Sequence, residues 1–118
     1  MRPKIKYFQS YNISQSELEK ITDLNIHQDG AFHSEGEYSH LAESWLEIIF
    51  KRDGVQRKFR VDYRDYSPND DGDRYSTSYQ CDIYCTHPKD PILEEIYNKI
   101  QKFKEDGDYS EIYNLINL

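Results

Sequence analysis

The chain has 118 residues, and its 15 lysines and arginines against 22 aspartates and glutamates give a formal net charge of −7. At this length we expect one domain, residues 1–118, with one modest hydrophobic core. No run of about 18 apolar residues is present, which argues against a transmembrane helix. An acidic chain also repels nucleic-acid phosphates and anionic membranes. The N-terminus has no secretory signal pattern and the chain has only two cysteines, so we expect a cytoplasmic protein without a disulfide scaffold.

The first third of the sequence predicts a short strand, a helix and then an ambiguous segment. Lys4–Gln9 has the composition of a short strand. A helix is predicted over Ser14–Asn25, because it begins with the S-x-x-E pattern of a capping box and with the residues of a hydrophobic staple. Glycines interrupt the stretch His27–Ser44. Within that stretch Ala31–Ser34 is compatible with a brief edge strand.

The strongest local signal is a β-hairpin over Ser44–Tyr66. Asp53 and Gly54 form a favoured two-residue turn, because both residue types tolerate positive φ. The turn fixes the register and pairs Arg52 with Val55, Phe50 with Arg57, Ile48 with Phe59, Glu47 with Arg60 and Leu46 with Val61. One face is then apolar, with Leu46, Ile48, Phe50, Phe59, Val61 and Tyr63. The other face is mixed, with Trp45, Glu47, Ile49, Lys58, Arg60 and Asp62, and a slip of one residue would destroy this agreement.

The last part of the sequence predicts another strand and two helices. Tyr75–Thr86 alternates as a strand that would pair with the second strand of the hairpin. An amphipathic helix follows, with Asp90 as its cap, Pro91 at its first position and Gly107 as its stop. The D-x-x-E pattern Asp108–Glu111 predicts a cap for a final short helix. We therefore expect an α+β fold, an antiparallel sheet of three to five strands packed by an N-terminal helix and two C-terminal helices.

The cysteines and histidines are the first candidates for chemistry. Cys81 and Cys85 would lie about 13 Å apart along an extended strand, too far for a disulfide or a shared metal ion. We therefore interpret them as core residues. The segment His27–Glu43 holds three histidines and three glutamates, so a small metal-binding or hydrolytic domain is one alternative. No specific catalytic or cofactor-binding motif is present, and we expect neither enzymatic activity nor a cofactor.

The charge is distributed unevenly along the chain. Residues 1–60 carry nine basic and nine acidic side chains, whereas residues 61–118 carry six and thirteen. The stretch Asp62–Tyr84 alone contains six aspartates, two arginines and five tyrosines. Tyrosine is frequent at interaction hot spots, and carboxylates steer the association of basic partners.

This composition is typical of a non-catalytic inhibitor that occludes a basic, nucleic-acid-acting protein, as immunity proteins, antitoxins and phage anti-defence inhibitors do. We expect a protein partner with a basic surface, and no direct contact with nucleic acid or membrane. The predicted contact set is Asp62, Tyr63, Asp65, Tyr66, Asp70, Asp71, Asp73, Tyr75 and Tyr79. A further alternative is a homo-oligomeric structural subunit, in which Trp45 and Ile49 would face a second copy.

Overall fold

The computed structural model of the chain describes residues 8–35, 39–68 and 78–117. One antiparallel sheet contains four strands, ordered as they occur in the chain: β1 (Ile21–Glu35), β2 (Ser39–Arg52), β3 (Val55–Pro68) and β4 (Ser78–Cys85). The helices are α1 (Gln15–Leu18), α2 (Pro91–Asp106) and α3 (Tyr109–Ile116), and a 3-10 turn covers Phe8–Ser10. The predicted α+β fold is confirmed. Within the described ranges, no helix has the length and apolar character needed to cross a membrane.

The predicted hairpin forms with the predicted register. Asp53 and Gly54 both have positive φ, 55° and 76°, as a tight hairpin turn requires. All five predicted pairs are present, and β2 and β3 remain paired as far as Ser39 and Pro68. The six residues of the predicted apolar face are at most 3% exposed. This face therefore forms the centre of the core.

Two N-terminal predictions are wrong in part. The predicted strand Lys4–Gln9 lies mostly outside the described residues, and Phe8–Ser10 is a 3-10 turn. The predicted helix Ser14–Asn25 is only one turn long, Gln15–Leu18. The predicted start of the helix is confirmed, because the Ser14 hydroxyl accepts a hydrogen bond from the backbone N–H of Glu17 at 3.3 Å. Residues 8–18 contribute to the core on the side of α2, where the Lys99 ammonium donates to the Ser10 carbonyl.

The segment that followed the predicted helix is a 15-residue strand, far longer than the brief edge strand expected at Ala31–Ser34. β1 pairs with almost the full length of β2, and a register shift between Thr22 and Asn25 accommodates positive φ at Asp23. Pairing with β2 gives hydrogen-bond partners to the backbone N–H and C=O groups of this segment. This gain outweighs the weak local preference for a helix.

The C-terminal helices begin and end largely as predicted. Asp90 caps α2 by accepting hydrogen bonds from the N–H groups of Ile92 and Leu93 at 2.9 and 3.3 Å. Gly107 ends the helix in the left-handed conformation, with φ of 75°. The predicted cap at Asp108 does not form, because its side chain makes no capping hydrogen bond. Packing of its apolar side therefore holds α3 in place.

Asp90 also lies at the centre of a buried ionic network. Its carboxylate is fully buried and accepts hydrogen bonds from Arg52 Nε at 2.7 Å and Arg57 Nη1 at 3.1 Å. Arg52 also reaches the Glu17 carboxylate at 2.9 Å. Burial alone would lower the pKa of the Arg52 guanidinium, but Asp90 and Glu17 outweigh it and raise that pKa above its ordinary value. The network connects α1, the hairpin and α2.

The sheet is longer than the helices that cover it. A strand of 14 residues spans about 46 Å, whereas the eight residues of α3 span about 12 Å. α3 meets the sheet near Ser44 and Tyr63: Asn117, just after the helix, donates to the Ser44 hydroxyl, and Tyr113 packs on Tyr63. We call the remainder of the sheet, on the side away from the Asp53–Gly54 turn, the distal end.

Candidate protein-binding surface

Five of the nine predicted contact residues lie in the described part of the chain, on β3 and β4. They are Asp62, Tyr63, Asp65, Tyr66 and Tyr79. The strand alternation divides them, because Asp62 and Tyr66 face away from the helices while the other three lie on the helix side. The predicted contacts Asp70, Asp71, Asp73 and Tyr75 lie outside the described residues.

The three tyrosines differ in exposure. Tyr66 is 43% exposed and Tyr79 is 46% exposed, whereas Tyr63 is only 3% exposed. The Tyr63 ring packs against Tyr113 of α3, with ring centroids 5.6 Å apart. Burial raises the pKa of the Tyr63 phenol, and the Asp65 carboxylate raises it further. In the free chain, therefore, Tyr66 and Tyr79 offer ring surface to a partner and Tyr63 does not.

A pocket opens on the helix side of the distal end, immediately beyond α3. Its floor is one row of cross-strand neighbours, in which Phe32, Ala42, Asp65 and Tyr79 follow one another from β1 to β4. The small side chain of Ala42 leaves space between the two aromatic residues at the ends of this row. The pocket has a volume of about 340 Å³ and is lined by Phe32, Ala42, Tyr63, Asp65, Tyr79, Ser110, Tyr113 and Asn114. We call it the tyrosine pocket.

The polar feature of the tyrosine pocket is the Asp65 carboxylate. Its Oδ1 atom is buried and has no hydrogen-bond partner among the described residues. Buried polar atoms in folded proteins are nearly always hydrogen-bonded, and an exception calls for an explanation. The pocket thus combines aromatic walls with a carboxylate oxygen that can still accept a hydrogen bond.

The helix α3 supplies two tyrosines near the pocket, Tyr109 and Tyr113, that are not among the predicted contact residues. Tyr109 stacks on Tyr79, with ring centroids 4.8 Å apart and planes only 7° from parallel, and this contact fixes one wall. Tyr113 follows one helical turn later and lies over Tyr63. Two tyrosines four residues apart lie on the same side of a helix. This four-residue spacing is the sequence signal that could have identified the two tyrosines as neighbours.

A second groove lies on the opposite side of the same end of the sheet. It has a volume of about 420 Å³ and is lined by Leu41, Arg64, Tyr66, Ser78, Tyr79 and Gln80. Tyr79 borders both concavities, since it also lines the tyrosine pocket. The two exposed tyrosines of the predicted contact set therefore lie at one end of the molecule.

The mixed face of the hairpin carries a network of paired charges. The Arg60 guanidinium lies over the Trp45 ring, 4.6 Å from its centroid, and Arg60 Nη2 is 2.9 Å from Asp62 Oδ1. Hydrogen bonding to Asp62 raises the pKa of Arg60. In the predicted Glu47–Arg60 pair, Arg60 Nη1 lies 3.9 Å from Glu47 Oε2. Trp45 is half-buried beneath Arg60, and its proposed contact with a second copy stays a prediction.

One row of this face places carboxylates against each other. Asp62 of β3 pairs directly with Asp82 of β4. Like charges in directly opposed positions destabilise a sheet. Arg60 offsets this repulsion by hydrogen bonding to Asp62, while Gln80 donates to Asp82 at 2.8 Å.

Two cysteines and two histidines, His27 and His87, belong to the described part of the chain. Cys81 is buried, Cys85 is half-buried and both thiols are free, whereas His27 is exposed on β1. In the described ranges, no group of three or more histidine, cysteine, aspartate or glutamate side chains is placed to hold a metal ion. The side chains of His33 and His40 lie outside the described residues, so the alternative based on His27–Glu43 stays a prediction.

The buried Cys81 thiol is expected to react slowly. Burial raises its pKa to about 11, so roughly one molecule in a thousand carries the thiolate at pH 8. We expect Cys81 in the Cys85→Ser variant to react with a thiol reagent about 100-fold more slowly in the native protein than in urea. Equal rates in the two conditions would contradict its place in the core.

Comparison of the chain with models of known protein families, with curated proteins and with solved structures found no match.

Proposed function

We propose that this chain is a non-catalytic binding protein that inhibits a basic, nucleic-acid-acting protein by covering its surface. The observation that carries this proposal is the convergence of exposed aromatic residues at the distal end. Phe32, Tyr66 and Tyr79 lie on the distal end, and Tyr113 of α3 borders it. All four side chains are between 42% and 66% exposed. Large aromatic residues on an open surface are typical of interaction sites, because a partner can bury them at low entropic cost.

The charge of the sequence between the hairpin and α2 indicates the kind of partner. The stretch Asp62–Tyr84, which includes part of β3 and most of β4, has a net charge of −4 from six aspartates and two arginines. A cluster of carboxylates accelerates the approach of a basic protein and slows that of an acidic one. Basic surfaces of this kind are the usual binding sites for nucleic-acid phosphates. The chain would therefore compete with nucleic acid for the same surface.

Inhibition in this mechanism requires no chemical step. The carboxylates take the positions that phosphates would occupy on the partner, and the tyrosines fill the space between basic side chains. The pKa values of both cysteines are raised by burial, which disfavours a nucleophilic thiolate at neutral pH. This is consistent with a binding role.

The test is affinity capture from the native host with matched baits. The first bait is the wild-type chain, the second carries Tyr66→Ala and Tyr79→Ala, and the third carries Tyr84→Ala and Tyr97→Ala. Tyr84 and Tyr97 are also exposed, at 58% and 37%, but lie away from the distal end. We expect the first and third baits to capture a basic protein that the second does not. Raising the salt from about 0.05 M to about 0.5 M is expected to release it.

The captured protein is then assayed for its action on nucleic acid. An equimolar amount of the wild-type chain is expected to block that action, and the Tyr66/Tyr79 variant is not. Capture of the same protein by all three baits would reject this surface. A neutral or acidic partner, or binding that salt does not weaken, would reject the electrostatic mechanism.

A further inference from the structure

The polar and aromatic groups of the tyrosine pocket indicate which class of chemical group can bind in it. Asp65 Oδ1 is buried there, and nothing in the described part of the chain hydrogen-bonds to it. An anion would be repelled by this carboxylate, and an apolar group would leave it buried and unsatisfied. A donor that carries positive charge is the complement, because hydrogen bonds to a charged acceptor are the strong ones.

The walls of the pocket favour the same class of occupant. Phe32 and Tyr79 stand at the two ends of the floor, and Tyr113 closes the side towards α3, where it covers the buried Tyr63. The faces of aromatic rings are electronegative and attract cations that approach within about 6 Å. Stacking on Tyr109 holds the Tyr79 ring in position before any ligand arrives, so part of the site is preorganised.

We propose that the tyrosine pocket binds the guanidinium group of one arginine side chain of the basic partner. The identity of the partner in this inference rests on the proposed function, whereas the chemical class of the bound group rests on the pocket alone. A guanidinium is planar, stacks on aromatic rings and donates to carboxylate oxygens in a fixed geometry, whereas an ammonium is more strongly hydrated. Asp65 would accept its hydrogen bonds while the tyrosine rings enclose its faces.

The neighbours of Asp65 in the sheet explain why, within residues 8–35, 39–68 and 78–117, its Oδ1 atom has no hydrogen-bond partner. Asp65 pairs with Ala42 on one side and Tyr79 on the other, and neither side chain can neutralise it. On the opposite face of β3, by contrast, Asp62 is held by Arg60. The same residue type is therefore paired on one face and left available on the other, where the pocket is.

The experiment titrates the intact chain with N-acetyl-arginine methylamide, and follows the tyrosine ring resonances by NMR. N-acetyl-citrulline methylamide, which has nearly the same shape without the charge, is the matched probe. We expect the arginine probe to shift the resonances of Tyr63, Tyr79 and Tyr113 with a Kd on the order of 1 mM. The citrulline probe is expected to bind about tenfold more weakly or less.

Two variants separate the pocket from general electrostatics. Asp65→Asn is expected to lose the arginine-induced shifts, while Asp106→Asn, on an exposed aspartate at the end of α2, is expected to retain them. A well-dispersed spectrum of Asp65→Asn shows that it is folded. Equal binding of both probes, or full binding by Asp65→Asn, would overturn the assignment.

The outcome separates this inference from the proposed function. If a basic partner is captured but the arginine probe does not reach the pocket, the pocket assignment is wrong and the function stands. If the probe binds the pocket through Asp65 but no basic partner is found, the assignment stands and the proposed function is wrong.

Discussion

Asp90→Ala is expected to lower the free energy of unfolding by about 3–5 kcal/mol, because it removes the buried carboxylate that both Arg52 and Arg57 bind and leaves Arg52 with Glu17 alone. The Asp90 carboxylate is fully buried and binds Arg52 at 2.7 Å and Arg57 at 3.1 Å. It also caps α2, and loss of an aspartate cap costs about 1 kcal/mol on its own. Urea denaturation followed by circular dichroism measures the change.

Two further variants distinguish the ionic contribution from the cap. Asp90→Asn keeps an oxygen that can accept the N–H groups of α2 but removes the charge, so an intermediate loss is expected. Asp106→Asn removes an exposed carboxylate whose contact with Lys102 is 3.5 Å long, and a change within about 0.5 kcal/mol is expected. A loss below about 1 kcal/mol for Asp90→Ala would mean that the network contributes little beyond the cap. If Asp90→Ala does not fold, the Asp90→Asn variant carries the comparison.

The hairpin was predictable from the sequence because three independent signals agree there. The Asp53–Gly54 turn sets the register, the apolar residues then fall on one face, and Glu47 meets Arg60 on the other. Changing the register by one residue would break all three at once. Local chemistry and tertiary burial therefore select the same structure.

The N-terminal region was not predictable in the same way. Leu18, Ile21 and Leu24 have a spacing that suits a helix, and the capping box at Ser14 supports it. The long pairing of β1 with β2 overrides this preference after one turn. Edge strands bury little on one side, so their own sequence carries a weak pattern and the neighbouring strand decides their conformation.

The candidate site was predictable only in part. The composition of Asp62–Tyr84 identified the tyrosines and aspartates of β3 and β4, but it did not identify Phe32 or Tyr113, which complete the pocket from β1 and α3. Their contribution depends on where α3 ends relative to the sheet. That position follows from the packing of the whole core and not from any local pattern.

Substitution of Asp65 is expected to change the stability of the free chain and the affinity for the partner in opposite directions. Its Oδ1 atom is buried and accepts no hydrogen bond from the residues that the structure describes, so burial of this oxygen costs stability in the free chain. An arginine side chain in the tyrosine pocket would restore the missing hydrogen bonds. Residues that lower stability in the free protein but contribute to binding are characteristic of functional sites.

Asp65→Asn is therefore expected to raise the free energy of unfolding by about 1 kcal/mol and to weaken binding of the basic partner by about 2 kcal/mol or more. Urea denaturation measures the first change and calorimetric titration of the captured partner the second. Asp62→Asn is the matched control on the same strand. Its carboxylate is already paired with Arg60 at 2.9 Å, so the substitution removes a satisfied charge and is not expected to stabilise the chain. A less stable Asp65→Asn variant that binds the partner normally would assign Asp65 to the fold alone.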